Sequence, residues 1–122
     1  MAKILIVEDN PDNMKLFRAV LTIRGHQVVG LPGGEMLLET MQAEAPAIVL
    51  LDIQLPGEDG FQLLAKLQLA LKDTLPPVVA LTAHAMSGDE EKALTAGFTG
   101  YLTKPIDVAT FASTVEAFIP PA

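Results

Sequence analysis

A chain of 122 residues, 50% hydrophobic and 19% charged, has the length of one domain and the apolar content for its core, which leaves no room for a second domain and argues against disorder. Eight Lys and Arg against fifteen Asp and Glu give a formal net charge of −7, the wrong sign for holding a nucleic-acid backbone. The lack of cysteine removes disulfides, thiolate metal sites and cysteine nucleophiles together, which fits a reducing compartment, with cytoplasm the default expectation.

The first apolar run, Ile4 to Val7, is one strand long and ends in Glu8-Asp9, so Met1-Ala2-Lys3 does not open a signal peptide. Asn10 as N-cap and Pro11 in the first turn announce a helix that carries Met14, Phe17, Val20 and Leu21 at helical spacing and stops at Gly25. Gln27 to Leu31 is a candidate second strand, followed by an amphipathic helix from about Gly34 to Glu44. Ala45 to Leu51 is the longest apolar run, broken by Pro46 and stopped by Asp52, so it spans no membrane and reads as a third strand from Ala47 to Leu51. A third helix runs from about Phe61 to Leu71 with Leu63, Leu64, Leu67 and Leu71 inward, and Val78 to Leu81 is a fourth strand. Ser87-Gly88-Asp89-Glu90, with Glu three residues after Ser, has the form of a capping box for a fourth helix that ends at Gly97. A weaker strand around Tyr101-Leu102 precedes a fifth helix, which begins near the cap candidate Asp107, buries Phe111, Val115 and Phe118, and is terminated by Pro120-Pro121.

Strand and helix alternating five times predict a doubly wound α/β domain over residues 1–122, a five-stranded parallel sheet with helices on both faces. The runs at 4, 47 and 78 are continuously apolar, whereas Gln27 to Leu31 and Thr99 to Thr103 mix in polar residues and glycine, which assigns those two to the edges. The order 2-1-3-4-5 satisfies this.

Glu8-Asp9 follow the first strand, Asp52 the third, Thr82 the fourth and Lys104 the fifth. In a parallel sheet those carboxyl ends share one edge, where open α/β sheets bind ligands, so these residues are expected to converge. Crowded carboxylates raise one another's pKa unless a cation is present. Lys104 supplies one charge, and the rest suits a hard divalent cation, Mg2+ in preference to Ca2+, because Mg2+ takes one or two carboxylates together with water and phosphate. A metal, a lysine and a hydroxyl around one aspartate form a phosphoryl clamp, with Asp52 the nucleophile, since a carboxylate is already ionised and forms aspartyl phosphates. Taken singly, each residue has a plainer reading: Glu8 and Asp9 as solvated loop acids, Asp52 as a cap, Lys104 as a snorkelling side chain, Thr82 as a β-branched strand end and Tyr101 as packing. Asp89-Glu90-Glu91 is most simply the acidic first turn of a helix, and His26 and His84 have no assignment.

Four segments together, Ile4-Leu5-Ile6-Val7-Glu8-Asp9-Asn10, Leu50-Leu51-Asp52-Ile53-Gln54-Leu55-Pro56-Gly57-Glu58-Asp59-Gly60, Ala80-Leu81-Thr82-Ala83 and Gly100-Tyr101-Leu102-Thr103-Lys104-Pro105, resemble the response-regulator receiver domains over essentially the whole chain. The resemblance implies a flavodoxin-like (βα)5 fold of the CheY type and a signalling switch of a two-component phosphorelay. It implies transfer of a phosphoryl group from a histidine kinase or histidine phosphotransferase to Asp52, with Mg2+ held by Glu8, Asp9, Asp52 and the backbone carbonyl of Gln54. Thr82, the Ala83 backbone and Lys104 would contact the phosphoryl group. Thr82 and Tyr101 would form the switch pair, the Lys104-Pro105 bond would be cis, and Asn13 and Met14 would help dock the phosphodonor. Glu8 stands where the family often has Asp, and Gln54 and His84 occupy positions that bear on phosphoryl lifetime. A protein of this kind signals by binding a downstream protein and catalyses only its own phosphorylation and dephosphorylation. An Asp-nucleophile phosphohydrolase fits less well, because Gln54 stands where its second acid belongs, and neither Gly-x-Gly-x-x-Gly nor a phosphate-loop Gly-Lys-Ser/Thr occurs. A phosphate-independent adaptor, or a receiver trimmed from a longer regulator or hybrid kinase, are the remaining alternatives.

Overall fold

The five apolar runs form one parallel sheet. In a computed structural model that describes residues 2–83 and 88–120, β1 is Lys3–Val7, β2 Gln27–Leu31, β3 Ile48–Asp52, β4 Val78–Thr82 and β5 Gly100–Thr103, in the order β2-β1-β3-β4-β5. The half-polar strands are therefore the edges, and the three apolar ones, which must bury both faces, lie inside. Asp52 and Thr82 are the last residues of β3 and β4 rather than the first residues beyond them, because their backbones still pair: Asp52 lies opposite Leu81 and Thr82 opposite Thr103.

Side chains alternate across this sheet and build two cores. Ile4, Ile6, Ile48, Leu50, Val79 and Leu81 pack against Phe17 and Leu21 of α1 (Pro11–Ile23) and against Phe111 and Val115 of α5 (Phe111–Phe118). On the other face Leu5, Val7, Val49, Leu51 and Ala80 meet Leu37 and Met41 of α2 (Leu37–Glu44), Leu64 and Leu67 of α3 (Gly60–Leu71) and Ala93 of α4 (Asp89–Ala96). The stacked rings of Phe17 and Phe111, 5.2 Å between centroids, join α1 to α5.

Helix ends follow local chemistry, and three starts differ from the sequence expectation. Asn10 does cap α1, its Oδ1 accepting from the amides of Asp12 and Asn13, and Asp59 caps α3 by accepting from Phe61. α2 begins at Leu37, not Gly34, because the Gly34 amide donates to Glu58 Oε2 at 2.7 Å and is held by the neighbouring loop instead. α5 begins at Phe111, since Asp107 Oδ1 accepts from the Ala109 amide and its carbonyl from Thr110 and Phe111, which makes a separate turn ahead of the helix. Gly88, at φ +92°, is the N-cap of α4; Ser87 of the expected capping box, His84 and Pro121 lie outside the described residues. α4 ends at Gly97, whose φ of +114° needs glycine.

Away from the carboxyl edge, Arg24 and His26 converge on Glu116 and tie the end of α1 to α5. The Ala2 amide donates to His26 Nδ1 at 3.1 Å, leaving Nε2 to donate to Glu116 Oε2 at 2.7 Å. The hydrogen bond from Arg24, then that from His26, hold the Glu116 carboxyl below its ordinary 4.5. A carboxyl lowered on folding contributes stability above its unfolded pKa and loses it as pH falls through the folded value. Glu116→Gln is therefore expected to flatten the decline in stability below about pH 4.5, read as urea midpoints across that range.

Gly60 has a different constraint: a Cβ there would meet Ile53 Cα, so the first turn of α3 reaches the residue after Asp52 only because Gly60 has no side chain. Gly60→Ala is expected to cost about 1–3 kcal/mol of unfolding free energy as overpacking against backbone. An unchanged denaturation midpoint would refute that account.

Candidate functional site

At the carboxyl edge, four strand ends bring together residues 96 positions apart in the chain. Lys104, just past β5, reaches across with its Nζ 2.7 Å from Asp52 Oδ2 and 2.9 Å from Glu8 Oε1. Glu8 and Asp52 are buried, 2% and 1% exposed, and each keeps its second oxygen occupied. Asp52 Oδ1 accepts from the Gln54 amide at 2.8 Å, and Glu8 Oε2 from the Asn10 amide at 3.1 Å. The first bond fixes the Asp52 carboxylate; the second couples Glu8 to the capping turn of α1.

Charge follows from burial. Removal from water pushes the Glu8 carboxyl above its ordinary 4.5, the bonds from Lys104 and Asn10 only partly oppose this, and the Asp52 charge adds to it. Burial alone would lower the Lys104 ammonium, but its bonds to Asp52 and Glu8 outweigh burial and raise it. Lys104 thus remains a cation, and the cost of burial falls on Glu8.

Asp9 is exposed beside this pair, and Glu8, Asp9 and Asp52 each offer a carboxylate oxygen within 4.8 Å of the others. Three oxygen donors against a single lysine leave the cluster short of positive charge. That donor set fits a hard divalent cation, as the sequence implied.

The donors for an anion stand on the neighbouring strand. Thr82 is 1% exposed; its Oγ1 and the Ala83 amide both donate to Gln54 Oε1, at 3.1 and 3.2 Å. The Gln54 side chain thereby bridges the ends of β3 and β4. Tyr101 lies on β5 opposite Ala80, half-buried against the core that α3 and α4 cover. Burial, reinforced by Asp89 and Glu90 on α4, raises its phenol above 10.0. Asn13 and Met14 lie in the first turns of α1, Met14 packed on the core below. The Lys104-Pro105 bond is cis.

Every acidic, basic and hydroxyl residue expected at the edge is thus brought to it, while Tyr101, Asn13 and Met14 flank it. Two contacts had no sequence signal. The Gln54 carboxamide bond to Thr82 and the Glu58 carboxylate bond to Gly34 each join loops far apart in sequence, and residue type alone does not specify them.

The family model for the response regulator receiver domain matches residues 4–116. The chain is 36% identical over 116 residues to the polar-differentiation response regulator DivK of Brucella ovis and of Brucella abortus, covering 95% of this chain and 94% of theirs. Among solved structures it resembles the BeF3-activated N-terminal receiver domain of Klebsiella pneumoniae RstA, with a TM-score of 0.87, 31% identity and coverage of 98% and 99%. Chemotaxis protein CheY4 of Vibrio cholerae shares the fold at a TM-score of 0.88 and 23% identity, covering 98% of this chain and 99% of that one. With the strand order, the acidic edge and these matches in agreement, the chain belongs to the response regulator receiver domains of two-component systems.

Proposed function

We propose that this receiver is a phosphorylation-controlled switch whose acceptor is Asp52, loaded by a histidine kinase or histidine phosphotransferase and read by a downstream protein. The observation that carries this reading is the Asp52 carboxylate, buried at the end of β3, with a lysine on one oxygen and a backbone amide on the other beside two further carboxylates. Such a group is oriented and reachable only at the sheet edge.

In the transfer an Asp52 carboxylate oxygen attacks phosphorus and a P–O bond forms. The P–N bond of the donor phosphohistidine breaks, its electron pair stays on the imidazole nitrogen, and that nitrogen takes up a proton. The work of the protein is positioning and charge. Lys104 stays close enough to both carboxylates to shift toward the new anion, and the Thr82 hydroxyl and Ala83 amide face the same space from β4. Glu8, Asp9, Asp52 and the Gln54 carbonyl would hold Mg2+, which when bound supplies the positive charge that offsets the phosphoryl oxygens. Converting Asp52 to an acyl phosphate moves the negative charge that Lys104 meets from the carboxylate onto the phosphoryl oxygens and places new acceptors before Thr82. That is the local event through which β4, Tyr101 and the face of α4, β5 and α5 would change population. Asn13 and Met14, on the α1 side of the edge, would meet the donor. No helix among the described residues is long and apolar enough to cross a membrane, which accords with a cytoplasmic placement.

Incubation with acetyl phosphate tests the reading without a known partner. Intact mass spectrometry should find one phosphoryl adduct in Mg2+ and none when EDTA removes the cation. No uptake at all would favour the phosphate-independent adaptor, and uptake that ignores Mg2+ would overturn the part given to the metal.

A further inference from the structure

We propose that the Gln54 carboxamide is a resident placeholder for a phosphoryl oxygen, holding the two donors that the incoming group needs and so setting how readily the site accepts it. This rests on the phosphoacceptor reading above and adds to it a residue that governs access. Gln54 Oε1 receives the Thr82 hydroxyl at 3.1 Å and the Ala83 amide at 3.2 Å. One oxygen under two converging donors is what a phosphoryl oxygen on Asp52 would present, two residues away in the chain. Local turn chemistry does not create the pair, because the acceptor lies after β3 and both donors lie at the end of β4.

A placeholder must leave, and the geometry allows it. Gln54 is exposed, and a cavity of about 240 Å³ lined by Gln54, Asp59, Phe61 and Lys92 opens beside it. Its amide donates to Asp52 Oδ1 at 2.8 Å, so the backbone stays anchored at the acceptor when the side chain swings. A neutral carboxamide oxygen is also a weaker acceptor than an anionic phosphoryl oxygen, so the exchange favours the phosphorylated state but costs two bonds on the way.

Beryllofluoride, a stable phosphoryl mimic, gives the test. It is titrated by fluorine NMR in saturating Mg2+ into the wild type, Gln54→Ala and Gln54→Leu, with Mg2+ affinity measured separately by calorimetry. Without two neutral bonds to displace, both variants should bind beryllofluoride on the order of tenfold more tightly. Mg2+ affinity should change by less than about twofold, because the Gln54 carbonyl remains. In the ligand-free state the Ala83 amide resonance should move in both variants and should coincide with wild type once beryllofluoride is bound. Unchanged or weaker binding in both overturns the placeholder and leaves the acceptor role of Asp52 intact. A gain in Gln54→Ala alone also overturns it, since opened space rather than a released donor would be the cause. A gain matched by Mg2+ affinity assigns the effect to the metal and overturns it too. Failure of the wild type to bind beryllofluoride with Mg2+ present removes the phosphoacceptor reading itself, and the placeholder with it.

Discussion

Asp52→Asn eliminates the phosphoryl adduct, lowering uptake from acetyl phosphate on the order of a thousandfold or more, the scale expected when a nucleophile is removed. The substitution is nearly isosteric. Its side-chain oxygen still accepts the Gln54 amide, and Lys104 keeps Glu8 as partner, so the fold is retained and the loss is chemical. An amide is neutral and a poor nucleophile, and it takes one carboxylate out of the acidic cluster, so Mg2+ affinity falls in the same variant. Two measurements separate these effects. Intact mass at saturating Mg2+ reads the nucleophile, whereas calorimetric Mg2+ titration reads the cluster. An adduct of normal yield in Asp52→Asn, mapped to another residue, would defeat the assignment of the acceptor.

The contrast between what the chain announces and what it conceals follows from the range of each interaction. Strands β1, β3 and β4 are legible because a parallel strand buried on both faces must be apolar along its whole length, and Ile4 to Val7 or Val78 to Leu81 permit no other reading. The helix α1 is legible because Asn10 and Pro11 act within one turn. The site follows from these two facts: once the strands are parallel, Asp52, Thr82 and Lys104 share an edge without any knowledge of contacts. The starts of α2 and α5 are not legible. Gly34 is drawn away from its helix by a carboxylate 24 residues later, and Asp107 spends its cap on a turn of its own. The same holds for Gln54. Sequence marks its backbone carbonyl through the loop that follows Asp52, but the destination of its side chain depends on the 28-residue separation that the sheet closes. Glu116 shows the limit most plainly, since its partners Arg24 and His26 lie about ninety residues away and belong to no motif.

Removing the cation by Lys104→Met is expected to bring the largest stability change, because it leaves Glu8 and Asp52 facing one another out of water. Their side chains are 0% and 2% exposed and that of Lys104 is 12% exposed, so water cannot replace the lost ammonium without opening the site. Stripping one partner from a buried ion pair costs about 3–5 kcal/mol, and the methionine stem retains most of the packing. The pH dependence identifies the cause. In the wild type the Lys104 ammonium is raised, so its contribution is complete below its ordinary 10.5 and is lost only as pH climbs through the folded value. Without it the Glu8 carboxyl, already above 4.5 through burial, has no cation to oppose the shift. A carboxyl raised on folding contributes fully below its unfolded pKa, and that contribution is lost as pH rises through the folded value. Urea midpoints for Lys104→Met should therefore be closest to wild type near pH 4.5 and fall away toward neutrality more steeply than those of the wild type, in which Lys104 opposes the Glu8 shift. Mg2+ should restore part of the deficit, since three carboxylates then have a cation again, yet phosphoryl uptake should remain down about a hundredfold because no positive side chain meets the transferred group. A variant as stable as wild type at neutral pH without Mg2+ would mean that the two carboxylates share a proton or a water already, and that Lys104 is not what keeps them apart.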